Sequence, residues 1–221
     1  MSHGGVPKTR HDDPGPAPTP RYPAELVADA RLVDGTEVRV RPIGPDDEVA
    51  LRAFHDSLSP STVYLRFFSL HPHLSDREVD RFTHVDYHDR LALVVEEAGH
   101  MIGVGRFDRL VPTDDAEVAF VVADAHQHHG IGHLLLDHLV VAARARGVRR
   151  FVADTLAGNS AMLGVFLHSG FDVVVAENRG TVHVSFPITD DAAPITDDAA
   201  PITDDAATAD DPGADREVGE R

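Results

Sequence analysis

The sequence predicts an α/β protein in which helices cover both faces of a mixed, mostly antiparallel sheet. Between residues 31 and 186, apolar stretches of strand length alternate with amphipathic stretches of helical length. One strand and a group of helices come first, and the order that follows is strand, strand, strand, helix, strand, helix, strand, strand. The last two strands are close enough for a hairpin. Such an order is typical of a single sheet with helices packed against it.

The first half of this region contains one predicted strand and three predicted helices. Residues 36–41 alternate between polar and apolar side chains and end at a proline, as expected of a strand. A helical pattern covers residues 46–58. Two more helices are expected to begin at Ser59 and Ser75, and Glu78 completes a capping box with the second serine.

The second half supplies most of the sheet. Predicted strands are 91–97, 101–110, 116–123 and 151–156, with a closing hairpin of 171–176 and 181–186. Predicted helices are 130–146, which ends at a glycine, and 159–169. A Gly-x-Gly at residues 103–105 lies within a strand with no helix after it, so it indicates a bulge or a close contact.

The chain divides into three parts by composition. Residues 1–30 are rich in proline, and residues 187–221 carry the repeat PITDDAA three times. A proline in every seven residues prevents a continuous helix, and one isoleucine per repeat cannot build a core. We therefore expect both ends to be disordered, with the folded domain at residues 31–186.

Charge and composition exclude several classes of protein. The formal net charge is −17, which disfavours nucleic acid as a partner because sequence-independent binding requires Lys and Arg to neutralise phosphates. No apolar run approaches the length of a membrane span, and the first residues lack the apolar core of a secretory signal. The chain has no cysteine, so thiolate chemistry is excluded. These features predict a cytoplasmic protein without a membrane partner.

The most informative segment is the junction Gln127-x-x-Gly130-x-Gly132, which connects a predicted strand to a predicted helix. Glycines there allow backbone conformations and close approaches that a Cβ would hinder. The first amides of the helix have no partners within it and lie at the positive end of its dipole, so they suit a pyrophosphate. The segment lacks the lysine of a Walker loop and the third glycine of a dinucleotide fingerprint.

This spacing, with the preceding strand and a later Asn159 leading to Gly170-Phe171, resembles the GNAT superfamily of N-acetyltransferases. The stretches LSPSTVYLRFF and AEVAFVVADAHQ are most similar to the GNAT module of bacterial Pat-type protein lysine acetyltransferases. Met162 departs from the pattern, since many relatives have alanine there.

The resemblance implies a fold in which the strands 116–123 and 151–156 splay apart and bind acetyl-CoA between them. The residues implied to bind this cosubstrate are Phe120, Val121, Val122, Gln127, His128, His129, Gly130, Ile131, Gly132, His133 and Asn159. Of these, Asn159 has the alternative of being a simple helix cap.

Glu117 is the expected general base, because it lies on the strand where matching relatives place theirs. The acceptor is expected to be an amine, and the Pat-type resemblance implies a protein lysine. At pH 7 only about one lysine amine in 2,500 is neutral, and recovering that form costs roughly 4.6 kcal/mol. A carboxylate that accepts the proton addresses this cost. The alternative for Glu117 is an ordinary exposed strand acid.

The residue that would protonate the leaving thiolate stays open. Many relatives have a tyrosine seven positions after the asparagine, where this chain has Phe166. Tyr64 and Tyr87 are candidates by residue type alone. This substitution motivates the alternative that the chain is a non-catalytic acyl-CoA sensor or interaction module.

No metal is expected in the site. His129 and His133 have the spacing of a metal-binding helix face, but the sequence offers neither H-E-x-x-H nor an obvious third ligand. Histidines around the predicted loop are instead expected to tune CoA affinity or to face solvent.

Overall fold

The structure, a computed structural model, describes residues 20–189. The strands are β1 Ala28–Arg31, β2 Glu37–Pro42, β3 Arg90–Glu97, β4 His100–Arg109, β5 Asp115–Val122, β6 Arg150–Leu156, β7 Val174–Asn178 and β8 Thr181–Pro187. The helices are α1 Glu48–Asp56, α2 Pro60–Phe67, α3 Asp76–Thr83, α4 Ile131–Arg144 and α5 Ser160–Leu167. Short 3-10 turns precede β1, α1 and α4.

All eight described strands form one sheet in the order β1-β2-β3-β4-β5-β6-β8-β7. Neighbouring strands are antiparallel except β5 and β6, which are parallel. The chain must cross over between parallel neighbours, and α4 makes that connection. The predicted mixed, mostly antiparallel sheet is confirmed.

Helices pack on both faces of the sheet, as the sequence predicts. The central strand β3 is apolar at successive positions because it is buried on both sides. Leu91 and Leu93 contribute to the core beneath α4 and α5, whereas Ala92 and Val94 contribute to the core beneath α1, α2 and α3. The two cores are therefore separated by the sheet itself.

The predicted helix starts at the two serines are confirmed. The Ser59 side chain accepts a hydrogen bond from the Thr62 N–H at 3.2 Å. The Ser75 hydroxyl accepts from the Glu78 N–H, and the Glu78 carboxylate accepts from the Ser75 N–H at 2.9 Å. These caps fix where α2 and α3 begin.

The folded region extends past both bounds expected from sequence. Residues 28–30, placed in the N-terminal tail by composition, belong to β1, which pairs with β2. This strand is too short and polar to show a pattern of its own. At the other end Ile188 is fully buried, and its N–H donates to Arg149 O at 2.9 Å. The tail segments 1–19 and 190–221, with the second and third repeats, lie outside the described residues.

The two glycines at 103 and 105 mark a close contact. A Cβ on Gly103 would lie 3.0 Å from Ile131 of α4, and one on Gly105 would lie 2.9 Å from Phe120 of β5. The absent side chains let α4 lie close against β4. The loop in which the sequence predicts an anion site leads directly into α4. The close packing of α4 on the sheet therefore fixes the position of that loop.

Candidate active site

The parallel strands β5 and β6 separate soon after they begin to pair. Only three pairs of residues are in register: Asp115 with Arg150, Ala116 with Phe151 and Glu117 with Val152. Beyond Glu117, β5 stays paired with β4 and β6 stays paired with β8. The sheet consequently has a wedge-shaped opening in its middle.

The backbone of β5 has free groups facing this opening. Ala123 N–H donates to Ile102 O and Leu110 N–H donates to Asp115 O, each at 2.9 Å. In an antiparallel pair the direction of the backbone groups alternates, so odd-numbered residues of β5 bond to β4. Val118 and Phe120 therefore turn their N–H and C=O groups toward the opening, and so does Val122, whose C=O already accepts a hydrogen bond from Gln127 Nε2.

The opening forms part of a cleft of about 600 Å³, the size of a small-ligand or cofactor site. Its walls come from α2, β5, the loop before α4, the end of β6 and α5. Of the residues expected to bind CoA, all except His129 line it, and the lining also includes Glu117, Arg66 and Thr155. His129 is exposed next to it.

The loop from β5 to α4 adopts two left-handed backbone conformations. His128 has φ 65° and Gly130, the residue before α4, has φ 84°. Among the described residues, no acceptor contacts the amides of residues 128 to 133, and the first bond of the helix runs from Leu134 N–H to Gly130 O. These unpaired amides at a helix start are suited to an anion.

The second glycine of the motif has a packing role. A Cβ on Gly132 would lie 2.7 Å from Val165 of α5, closer than packed atoms approach. The sequence suggested that both glycines allow unusual backbone conformations and a close approach to a ligand. The structure instead assigns the left-handed conformation to Gly130 and the contact between α4 and α5 to Gly132.

A hydrogen-bonded network fixes the loop to α2. The Asp124 carboxylate accepts bonds from the Ser59 N–H at 2.8 Å and from the Thr62 hydroxyl at 2.7 Å. Burial acts to raise the pKa of Asp124, but the hydrogen bonds from Ser59 and Thr62 outweigh it and hold that pKa below its ordinary value. Gln127 Nε2 donates to Thr62 Oγ1 and to Val122 O, both at 3.2 Å. The motif glutamine thus braces the loop.

Asn159 caps α5 and also lines the cleft. Its Oδ1 accepts a hydrogen bond from the Met162 N–H at 3.1 Å. The two alternatives for this residue are compatible, because the cap uses the oxygen and leaves the amide nitrogen for a ligand.

Glu117 lies at the point where β5 and β6 separate. Its side chain is exposed, lines the cleft, and stands opposite Asp108 of β4 in the sheet register. Because side chains alternate along a strand, Glu117 shares its face of the sheet with Ala119 and Val121. A carboxylate there can accept a proton from a group that enters from this face.

The two tyrosines that are candidate general acids by residue type lie away from the cleft. Tyr87 is buried, and its hydroxyl donates to Ile43 O at 2.9 Å. Tyr64 is 46% exposed on α2 and is absent from the cleft wall. Phe166 is fully buried, with its ring centroid 5.9 Å from that of Phe120. None of these three residues supplies an acid to the cleft in this conformation.

Two further residues line the cleft that no sequence pattern indicated. Thr155 is 1% exposed, and its hydroxyl has no hydrogen-bond partner among the described residues. Arg66 is half-buried on α2 and forms no ion pair within residues 20–189. The stretch around Arg66 resembled the family, but no local pattern indicates that its charge is unpaired.

The histidines of the loop do not form a ligand cluster with a third residue in the described part of the chain. The one group with ligating spacing there is Glu48, Asp80 and His84, which is exposed on α1 and α3. His126 instead contacts Glu97, with Nε2 2.9 Å from Oε2.

Comparison with known proteins agrees with this geometry. Residues 52–171, more than half of the chain, match the profile described as acetyltransferase (GNAT) family. The protein therefore belongs to the GNAT family of acetyltransferases, enzymes that use acetyl-CoA.

Two curated relatives carry the same activity in their names. The chain is 31% identical over 144 residues to acetyltransferase PA5475 of Pseudomonas aeruginosa, covering 63% of this chain and 77% of that protein. It is 35% identical over 146 residues to acetyltransferase Pat of Mycolicibacterium smegmatis, covering 65% of this chain. The chain spans 43% of the length of that Pat protein.

Solved structures show the same fold. The GNAT domain of S. lividans PAT is 41% identical with a TM-score of 0.72, covering 76% of this chain and 99% of that domain. The yncA acetyltransferase of Salmonella typhimurium, solved with its cofactor acetyl-CoA, is 22% identical with a TM-score of 0.54 over 74% of this chain and 97% of its own. At that identity the likeness shows the fold alone.

The helices of residues 20–189 include none with the length and apolar character needed to cross a bilayer.

Proposed function

We propose that the protein transfers the acetyl group of acetyl-CoA to a lysine side chain of a protein by direct attack, with Glu117 as the general base. The observation that carries this proposal is the wedge between β5 and β6. Within the described residues, its β5 side has free backbone groups and the amides of residues 128 to 133 are unpaired. Similarity to relatives named Pat supports the lysine acceptor.

In this proposal the diphosphate of CoA binds the amides of residues 128 to 133 at the start of α4. The pantetheine arm then lies in the wedge, where Val118 and Phe120 offer it backbone hydrogen bonds as an added strand would. The amide nitrogen of Asn159 contacts the same arm. The thioester would therefore reach the part of β5 that carries Glu117.

Glu117 acts on the amine that attacks the thioester. The amine must lose a proton to become nucleophilic, and an exposed carboxylate at the wedge can accept it directly or through water. The nitrogen then forms the amide bond while the carbon–sulfur bond breaks. A thiolate with a pKa of roughly 8.5 can leave without a positioned acid, which fits the absence of a tyrosine at Phe166.

Replacing Glu117 tests this role. Glu117→Gln is expected to lower turnover at pH 7 by roughly 100- to 10,000-fold, because glutamine cannot accept the proton. Acetyl-CoA affinity should change by less than about twofold, because the phosphate-binding loop is untouched. Raising the pH should restore part of the rate, since the amine then deprotonates unaided. Steady-state kinetics on a lysine peptide and calorimetry with acetyl-CoA measure both quantities.

Glu177→Gln, on the exposed edge strand β7, is the matched control and should keep full turnover. Equal turnover in wild type and Glu117→Gln would remove Glu117 from the mechanism. Acetyl-CoA binding without CoA release on any amine, in both proteins, would favour the non-catalytic sensor instead.

A further inference from the structure

A small side chamber opens from the cleft on the face of the sheet covered by α1, α2 and α3. Arg66, Ala119 and Val121 line both spaces, so the chamber meets the cleft along β5, two residues from Glu117. Its volume is about 40 Å³, which has room for about three water-sized groups. Its walls are mainly apolar, with Leu51, Phe54, Phe67, Leu74 and Phe82 among them.

Arg66 stands at the mouth of this chamber without a carboxylate partner among the described residues. Its guanidinium lies 5.2 Å from the centroid of the Phe67 ring. The neighbouring Arg106 is different, because its Nε donates to Asp108 Oδ2 at 2.9 Å. Burial, and then repulsion by Arg106, lower the pKa of Arg66 to about 10 despite the opposing charges of Glu117 and Asp108. Arg66 remains charged at pH 7, and an unpaired charge in a buried setting is costly unless an anion binds it.

His55 supplies a second unpaired polar group in the chamber wall. It is 3% exposed, and neither ring nitrogen has a hydrogen-bond partner among residues 20–189. Asp56 Oδ1 lies 3.9 Å from Nδ1, beyond hydrogen-bonding distance. Burial, and then the nearby His71, lower the pKa of His55, so the ring is neutral at pH 7 and keeps one N–H donor.

The chamber thus combines the unpaired cation of Arg66 with the neutral donor of His55, while Arg106, which also lines it, is already paired with Asp108. No aspartate or glutamate of the described chain is among its lining residues. A carboxylate has three heavy atoms, which matches the available volume, and it can accept bonds from both groups. A neutral group of the same size would leave Arg66 and His55 unpaired.

We propose that this side chamber is a carboxylate-binding site in which Arg66 pairs with a carboxylate of a substrate and His55 donates a second hydrogen bond. The carboxylate belongs either to the transferred acyl group, as in malonyl-CoA, or to the acceptor, which would then be a free amino acid and not the protein lysine proposed above. The inference rests on acyl transfer at Glu117, the proposed function, because that places both substrates next to the chamber mouth.

The acyl arm of the test compares malonyl-CoA with isovaleryl-CoA, whose acyl groups have the same number of heavy atoms. Calorimetry without an acceptor is expected to show malonyl-CoA binding about 10- to 100-fold more tightly to wild type. Arg66→Met, which keeps the length of the side chain, should abolish this preference. Arg66→Lys should keep part of it, because the charge remains and the two-pronged geometry is lost.

The acceptor arm compares free lysine with lysinamide in turnover with acetyl-CoA. If the carboxylate belongs to the acceptor, wild type should prefer lysine in kcat/KM by about 10- to 100-fold, and Arg66→Met should lose that preference. Arg77→Met, on the exposed side of α3, is the control that should leave both preferences unchanged.

A preference in one arm that depends on Arg66 supports the proposal and identifies the source of the carboxylate. Preferences that are absent from wild type in both arms, or that survive in Arg66→Met, overturn it. If Arg66→Met does not fold, Arg66→Lys is used instead: a reduced preference in that variant supports the proposal, and an undiminished preference overturns it. The acyl arm needs no turnover, so a failure of the Glu117 mechanism is distinguishable from a failure of the chamber.

Discussion

At the scale of single residues, the buried hydroxyl of Thr155 has an energetic consequence. It lies on the cleft wall without a partner among the described residues, and such a group costs roughly 1–3 kcal/mol of folding free energy. If the pantetheine arm of CoA occupies the wedge, its amides and carbonyls can satisfy this hydroxyl. The folded protein would then carry a cost that cosubstrate binding relieves.

Thr155→Val is therefore expected to have opposite effects on stability and binding. The free energy of unfolding without ligand should rise by about 1 kcal/mol, because the unsatisfied hydroxyl is gone. CoA affinity should fall about fivefold or more, because the hydrogen bond is lost. Chemical denaturation and calorimetry measure the two effects.

Thr181→Val on β8, away from the cleft wall, should alter neither quantity by a comparable amount. A variant at Thr155 that is less stable and binds CoA as wild type does would show that the hydroxyl serves packing alone.

Residues of the site differ in how far sequence anticipates them. Glu117 and Asn159 sit at positions of a family pattern, so the motif locates both. Thr155 and Arg66 matter because their polar atoms lack hydrogen-bond partners within residues 20–189, and such partners come from segments distant in sequence. Tyr87 is the opposite case, because its residue type alone made it a candidate acid. Its hydroxyl already donates a hydrogen bond to Ile43 O.

At the scale of elements, the loop before α4 shows which features a local pattern encodes. A Gly-x-Gly between a strand and an apolar helix predicts the position of the anion site, because glycine conformation and helix direction are local properties. The pattern does not distinguish the two glycines. Gly132 faces Val165, which lies on another helix, so its packing role depends on how α4 and α5 meet.

Two glycines at opposite ends of α4 give a controlled test of the loop. Gly130 has φ 84° and Gly147 has φ 77°, and a Cβ on either would meet no atom closer than 4.0 Å. Replacing either by alanine should cost a similar backbone strain of about 1–2 kcal/mol. Only Gly130→Ala should weaken binding of CoA and desulfo-CoA, by about tenfold, because only its amide lies at the cleft.

Calorimetry with both ligands and thermal melting of both variants measure this contrast. Equal CoA affinity in Gly130→Ala and Gly147→Ala would place the phosphate-binding groups elsewhere.

At the scale of the whole molecule, the order of elements predicts the class of sheet but not its opening. Strand and helix patterns are local, so the mixed sheet with helices on both faces follows from the sequence. The wedge arises because β5 stays paired with β4 while β6 stays paired with β8. Such pairing depends on contacts between segments that are distant in sequence. Its existence was expected through family resemblance. The short strand β1 and the buried Ile188 were missed because isolated residues show no periodicity.

The opening in the sheet makes the part of β5 that carries Glu117 accessible from two directions. In the proposed function one substrate would bind along the strands, in the wedge and at the amides before α4 that are unpaired among residues 20–189. The other would reach the exposed Glu117 from the face beneath α2. Such an arrangement suits direct transfer between two substrates that are bound together. This arrangement requires that CoA occupies the wedge and the loop at once.

Amide hydrogen exchange over the whole chain, with and without CoA, tests whether both are occupied. We expect slower exchange at the amides of Val118 and Phe120 and across residues 128 to 133, because CoA gives these groups the acceptors that they lack among residues 20–189. Protection that appears elsewhere while these amides exchange at unchanged rates would contradict it.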